Sequence, residues 1–278
     1  MRLVYDLHTH STASDGTLTP AELVSHAAAS GVEVLALTDH DTTAGITDAL
    51  QAATQYQPFS LVPGIELSVT WNRQTIHLVG LGIDPEDSHL QQGLVRITEF
   101  RQWRAEEIGR RLSGAGIENA YQHAKALSNG RLISRTHFGR YLVQIGKAKD
   151  LRDVFRHYLV AGKPGHVAGE WAALEEAIGW IHHAGGQAVI AHPARYRLTR
   201  TKLRKLIGQF RECGGEAIEV VSGSHSKDEM FTMARHAADF DLLASAGSDF
   251  HSPEHAWNSM GRLPQIPHGI TPVWSDWS

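Results

Sequence analysis

The chain has 278 residues, 42% of them hydrophobic, with a formal charge of −4, enough apolar material for one large core or for one domain carrying an insertion. That weakly acidic balance offers no global basic field, so binding of duplex DNA through counterion release is not indicated, and any polyanionic partner has to be small or held locally. A single cysteine, Cys213, excludes a disulfide framework and a thiolate zinc site; no basic and apolar leader precedes the first strand, and no apolar run nears the roughly 18 residues of a membrane span, so a cytoplasmic protein without membrane attachment is expected.

In chain order, Leu3-Val4-Tyr5-Asp6-Leu7 reads as a short buried strand that runs into His8-Thr9-His10. Residues i and i+2 of extended backbone share a side, so the two imidazoles converge, either on a metal or as two histidines satisfied by other partners. A polar loop containing Asp15-Gly16 follows, and then an alanine-rich helix from Pro20 to Ser30, with Thr19 as its N-cap and Gly31 as its stop. The next buried strand, Val34 to Leu37, leads directly into Thr38-Asp39-His40-Asp41. A helix over about Ala44 to Gln55 precedes a strand from Leu61 to Ser68 that carries Glu66, and His77 lies near the start of a further strand.

From about Leu90 to Pro164 the alternation of strand and helix lapses into helical text, which divides the chain into a barrel-forming part, 1–89 and 165–278, and an inserted helical domain, 90–164. On a wheel of about 100° per residue, the first inserted helix aligns Leu94, Ile97, Ile108 and Leu112, with Arg101 and Arg104 inside the same stripe. Arginines on an apolar stripe need anionic partners, which are either structural carboxylates or a phosphate received in a pocket. Ser134 is the expected N-cap of a later helix, and Arg135 beside its free N–H groups makes either a simple cap or an anion site. Lys163, in the turn Gly162-Lys163-Pro164-Gly165, is expected to be solvated.

The alternation resumes with Ala188 to Ala191 ending in His192-Pro193, Ala217 to Val221 ending in Ser222-Gly223, and Leu242 to Ala246 ending in Gly247-Ser248-Asp249-Phe250-His251. Helices over about Leu174 to Ala184, Thr201 to Glu212 and Lys227 to Ala238 separate them. Such alternation predicts a parallel sheet or barrel whose chemistry sits on loops at the strands' C-terminal ends.

Histidine is unusually frequent, at 18 residues, and the placement of some of them is informative. His8, His10, Asp15, His40, Glu66, His77, His192, Asp249 and His251 lie mostly at or just past predicted strand ends. Six imidazoles and three carboxylates are too many ligands for one tetrahedral ion and suit two or three bridged divalent ions; nitrogen and oxygen donors without thiolate fit manganese, iron or zinc. Asp15 has the alternative of a loop cap. His225 is open between supporting a ligand and closing a loop, whereas His26, His89, His123, His157, His182, His183, His236, His255 and His268 are assigned to surface or packing.

These motifs, in this order, resemble those of the PHP (polymerase and histidinol phosphatase) superfamily of metal-dependent phosphoesterases, over nearly the whole chain. Within it, the insertion with Arg101, Arg104 and Ile133-Ser134-Arg135-Thr136-His137-Phe138 is similar to the branch of nucleoside 3′,5′-bisphosphate phosphatases related to exoribonuclease AM. The resemblance implies an α/β fold, a distorted seven-stranded (β/α) barrel, a trinuclear manganese-type site, and an insertion that closes over a nucleotide. It also implies water activated by the ions as nucleophile, with no separate protein nucleophile, and Asp41, Arg101, Arg104, Ser134 and Arg135 on the substrate. Two rivals are a zinc amidohydrolase, which lacks support because Glu66 occurs without a strand-end lysine, and a non-enzymatic nucleotide or RNA module with a relict metal site. No obligate protein partner is inferred.

Overall fold

Parallel strands that are covered by helices are buried on both faces and read as unbroken apolar runs. In the computed structural model, which describes residues 3–254 and 259–277, such runs form one sheet whose strands neighbour one another in chain order. They are β1 (Tyr5–Asp6), β2 (Val34–Leu37), β3 (Ser60–Trp71), β4 (Gln74–Leu81), β5 (Gln187–Ile190), β6 (Ala217–Ser222) and β7 (Leu243–Gly247). The Leu7 N–H donates to Ala246 O at 2.9 Å and Thr9 bridges Phe250, so the first and last strands meet and the sheet closes as the expected seven-stranded barrel. His255 lies outside the described residues.

The distortion of the barrel has a local cause. β4 pairs antiparallel with both β3 and β5, whereas the other neighbours are parallel. A tight turn at Asn72 and Arg73, with φ of 47° and 62°, joins β3 and β4 as a hairpin in place of a strand-helix-strand unit. This reversal carries the start of β4 to the same end of the barrel as the C-termini of the parallel strands. β3 therefore extends past the expected Ser68 to Trp71, and its arm rises above the rim, where Val69 bridges Ala172. The opening strand is shorter than its sequence suggests, since Leu3 and Val4 are exposed.

Helices α1 (Pro20–Ala29), α2 (Ile46–Ala53), α7 (Leu174–His183), α8 (Arg200–Glu212) and α9 (Lys227–Asp239) cover the outside. α1 begins as its sequence requires, with Thr19 and Glu22 in a reciprocal capping box and proline at the first turn. Inside the barrel, Leu7, Val34, Ala36, Val79, Leu81, Val189 and Ala191 form a separate apolar plug. Its floor comes from the C-terminal tail: Val273 is buried in the plug and Trp274 stacks on Tyr5 with ring centroids 4.1 Å apart. Among the described residues, no helix is long and apolar enough to cross a membrane.

The long helix α3 (Ser88–Gly114) serves two cores. Leu90, Leu94 and Ile97 pack on the barrel, whereas Ala105, Ile108 and Leu112 join a second apolar cluster with residues of α4 (Ala120–Leu127), α5 (Arg135–Gln144) and the short α6 (Leu151–Val154). The helix thereby holds Arg101 and Arg104, which lie between these two contact regions, over the barrel's upper end.

Closure of the barrel depends on the absence of a side chain at Gly247, where a Cβ would lie 2.2 Å from Cβ of His8. Gly247→Ala should lower stability by about 1–3 kcal/mol, the usual range for overpacking, read as an earlier urea midpoint. An unchanged midpoint would contradict this β1–β7 register.

Candidate metal centre and the adjoining anion pocket

Nine side chains named from the sequence converge at the upper end of the barrel. His8 and His10 lie just past β1, Asp15 in the loop that follows, His40 just past β2, Glu66 in β3, His77 in β4, His192 just past β5, and Asp249 and His251 in the loop after β7. His77 belongs with them because β4 runs backward, so a residue near its start stands at the C-terminal end of its neighbours.

Glu66 is the centre of the group and is fully buried. Its Oε2 lies 2.9 Å from Nδ1 of His40, 3.2 Å from Nε2 of His8 and 3.3 Å from Nε2 of His10. Its Oε1 lies 2.9 Å from Nδ1 of His77 and 3.0 Å from Nε2 of His192. Three donor sets of metal-binding size result: His8, His10, Glu66 and Asp249; His10, Asp15, His40 and His251; and His40, Glu66 and His77. The chemistry of these atoms fits divalent ions. Buried His8 Nε2, both nitrogens of His10, Asp15 Oδ1, His40 Nδ1 and Glu66 Oε2 have no hydrogen-bond partner, a costly state for polar atoms that metal coordination removes.

Backbone turns and supporting groups aim these donors. Asp41, His192 and Asp249 adopt positive φ of 50°, 31° and 57° just past strand ends, in a region that non-glycine residues enter at a cost of about 1–3 kcal/mol and that clusters at functional sites. Buried Glu219 accepts from His8 Nδ1 at 2.5 Å and from the His192 N–H at 2.5 Å, which directs His8 Nε2 into the site and anchors the His192 turn. Asp39 accepts from the Ser11 N–H and from the Ser11 and Ser14 hydroxyls and so shapes the loop that brings Asp15 over the centre. His225 closes a loop: its ring contacts Val220 O at 3.2 Å and receives the Ala194 N–H at 3.4 Å.

Electrostatics keep the carboxylates ionised. Burial raises the pKa of Glu66, but His40, His8 and His77 outweigh it and hold it well below the usual range; His251 and His40 do the same for buried Asp15, and Arg195 and His10 for buried Asp249. Burial lowers the pKa of His10, yet Asp249 and Glu66 lift it to about 10, and His8 is raised likewise by Glu219 and Glu66. Burial dominates at His192, which falls to about 4 and is neutral at physiological pH. The centre is an anionic cage that attracts cations, protons included.

Against this cage lies a cavity of about 80 Å³, lined by Asp15, His40 and His77 on one side and by Arg101, Arg104 and Arg135 on the other. The inward direction expected for Arg101 and Arg104 holds, and both are buried. Arg101 Nε donates to Asp41 Oδ2 at 2.6 Å, and its Nη2 donates to the same oxygen and to Ser68 Oγ. Arg104 donates to Val167 O at 2.9 and 3.1 Å, and both guanidinium groups lie over the ring of Trp171. Arg135, at the start of α5, lies over Phe155. Burial pushes Arg104 down to about 9, with Arg135 and Arg101 adding repulsion, and Arg135 is lowered by burial and by Arg101. Ser134 caps α5 and donates its hydroxyl to Asp15 Oδ2 at 3.0 Å, which ties the helix to the cage.

Glu219, Arg195, Arg140 and Trp171 also support the site and are not among the residues expected from the sequence. Glu219 carries a usable signal, a lone carboxylate between Ile218 and Val220 in a buried strand. Arg195 pairs with Asp249, and Arg140 donates to Asp15 O at 2.6 Å, but neither position has a local pattern that marks it.

A family model described as the PHP domain matches residues 6–186. The chain is similar to a 3′,5′-nucleoside bisphosphate phosphatase of Chromobacterium violaceum, 48% identical over 98% of this chain and 95% of that protein. It is also similar to the 5′-3′ exoribonuclease Rnm of Escherichia coli, 44% identical over 99% of this chain and 94% of that protein. A solved structure described as an amidohydrolase from Chromobacterium violaceum, with sulfate bound and no metal, superposes with a TM-score of 0.93 at 49% identity, covering 97% of this chain and 94% of that one.

Because His8 and His10 hold their protons above the ordinary histidine pKa, ion uptake has to displace them. Manganese affinity should therefore rise with pH through the neutral range and on toward about pH 10, where His10 gives up its proton. Calorimetry in two buffers of different ionisation enthalpy should record proton release at pH 7; equal heats would contradict it.

Proposed function

The chain belongs to the PHP domain family, and from that premise we propose that it is a metal-dependent phosphoesterase that removes the 3′-phosphate of nucleoside 3′,5′-bisphosphates, leaving 5′-monophosphates, and that degrades short RNA from its 5′ end at the same site. The observation that carries this reading is the junction of the donor sets with a phosphate-sized cavity walled by arginines. Two or three ions would be held by these donors: His8, His10, Glu66 and Asp249 for one, His10, Asp15, His40 and His251 for a second, and His40, Glu66 and His77, with His192 beside Glu66, for a third. Divalent ions there, with manganese favoured over iron or zinc, supply Lewis acidity, which lowers the pKa of water and offsets charge on the phosphate and the departing alcohol oxygen.

The remaining work falls to the chain's own side chains. Arg104 and Arg135 bind the substrate's second phosphate, and the repulsion among the three guanidinium groups is relieved when that dianion enters. Arg101, whose Nε and Nη2 are held by Asp41 and Ser68, lines the same cavity. Asp41 acts through Arg101 by orienting it, and Ser134 acts through Asp15 and the start of α5. Residues 90–164 are the substrate-binding domain, and 1–89 with 165–278 form the barrel that holds the ions. Among the described residues no lysine lines the cavity, which weighs against a lysine-bridged amidohydrolase, and the nine converging donors weigh against a relict binding module. The proposed setting is the cytoplasm, with a small nucleotide or short RNA as partner.

Protein loaded with manganese should release phosphate from adenosine 3′,5′-bisphosphate and shorten a 5′-phosphorylated RNA; failure on both substrates would overturn the reading. Arg104→Ala and Arg135→Ala should each lower kcat/KM about 10- to 100-fold, mostly through KM, the scale of a lost charged hydrogen bond. Their metal content should be unchanged. Unaltered kinetics would make these arginines structural.

A further inference from the structure

A cleft runs along α3 on the side that faces the loop from Asp41 to Gly45 and the start of α2, outside the cavity described above. It has two lobes, of about 520 and 450 Å³, which meet at Thr42, Ala44 and Thr98. Each is within the size range of small-ligand sites. Their charges differ. Beyond the Arg101–Asp41 pair, which stands between them, the larger lobe is walled by Glu86 and Glu99, whereas the smaller one is walled by Arg131 and the Thr98 side chain and has no carboxylate in its lining.

Position links the smaller lobe to the chemistry. Arg101 lines both it and the small anion cavity, so the two spaces adjoin across one side chain. Arg131 is fastened over the loop that follows the first two histidines, its Nη1 donating to Thr12 Oγ1 at 3.3 Å. A nucleotide strand that leaves the centre meets attraction toward Arg131 and repulsion toward Glu86 and Glu99. The threonine hydroxyls of the lobe suit 2′-hydroxyl contacts, whereas Gln102 Nε2 donates to Glu106 and Tyr121.

We propose that this lobe is a subsite for the nucleotide that follows the one being processed in a short 5′-phosphorylated RNA, with Arg131 on its phosphate. The proposal rests on the phosphoesterase reading above. The asymmetry of the cleft also restricts the subsite to its basic lobe, which favours short chains.

The test compares adenosine 3′,5′-bisphosphate with a 5′-phosphorylated ribotrinucleotide in wild type, Arg131→Ala, Arg131→Lys and Trp103→Ala. Arg131→Ala should lower kcat/KM for the trinucleotide about tenfold, the scale of one charged hydrogen bond, and leave the bisphosphate within about twofold; Arg131→Lys should recover part of the loss. Binding of a fluorescent trinucleotide to EDTA-treated protein should lose about 0.7 from its logarithmic salt slope in Arg131→Ala, the share of one phosphate contact on a single strand. Trp103, exposed on the opposite flank of α3 beside Phe100, offers a rival stacking surface, and its replacement should change neither substrate. Equal losses on both substrates in Arg131→Ala, no loss, a selective trinucleotide loss in Trp103→Ala alone, or wild-type activity confined to the bisphosphate would each overturn the proposal. Wild-type inactivity on both substrates would instead overturn the phosphoesterase reading itself.

Discussion

One buried carboxylate in contact with five imidazoles is the constraint on which the upper end of this barrel depends. Glu66 lies within 3.3 Å of nitrogen atoms of His8, His10, His40, His77 and His192, which come from four different strands or strand ends. An isolated carboxylate at that depth would take up a proton, because burial penalises its charge. The surrounding imidazoles reverse that preference, so charge at Glu66 and the positions of the histidines are mutually dependent. Moving one strand by a residue would turn its histidine away from the carboxylate and leave both groups buried without compensation.

The rest of the fold can be understood as what holds those strand ends in register. The interior plug of aliphatic side chains, floored by the tail at Val273 and Trp274, fixes the barrel beneath the centre. The β3–β4 hairpin delivers His77 and raises an arm that meets the chain returning at Ala172. Glu219 fixes His8 and the His192 turn together, so two donors from opposite parts of the sequence share one support. α3 then spans from the barrel core to the inserted cluster and carries its arginines across the gap. In the proposed activity, ion binding and phosphate recognition are divided between these two bodies, and the cavity at their boundary is where they meet.

Much of this was legible in the chain because strand ends in an alternating α/β sequence are easy to locate, and histidines at i and i+2 must share a face. His8, His10, His192 and Asp249 were readable on that basis. His77 was harder, since its strand runs against its neighbours, and the turn responsible contains Arg73 at positive φ, a residue that does not advertise such a turn. The fork of Arg101 illustrates another limit. Its inward direction follows from helical periodicity, but its engagement with Asp41 and Ser68 depends on how α3 crosses the barrel, which periodicity does not encode. Arg195 and Trp171 matter only through partners distant in sequence, so local pattern carries no trace of them.

In the proposed centre Glu66 would be shared between ions, and crystals grown with manganese test this directly through anomalous scattering at the manganese edge. Two or three peaks should appear at the upper end of the barrel, at least two of them within coordination distance of Glu66, with the others' donors drawn from the remaining histidines and aspartates of the cage. A single peak, or peaks that leave Glu66 unbound, would contradict the account.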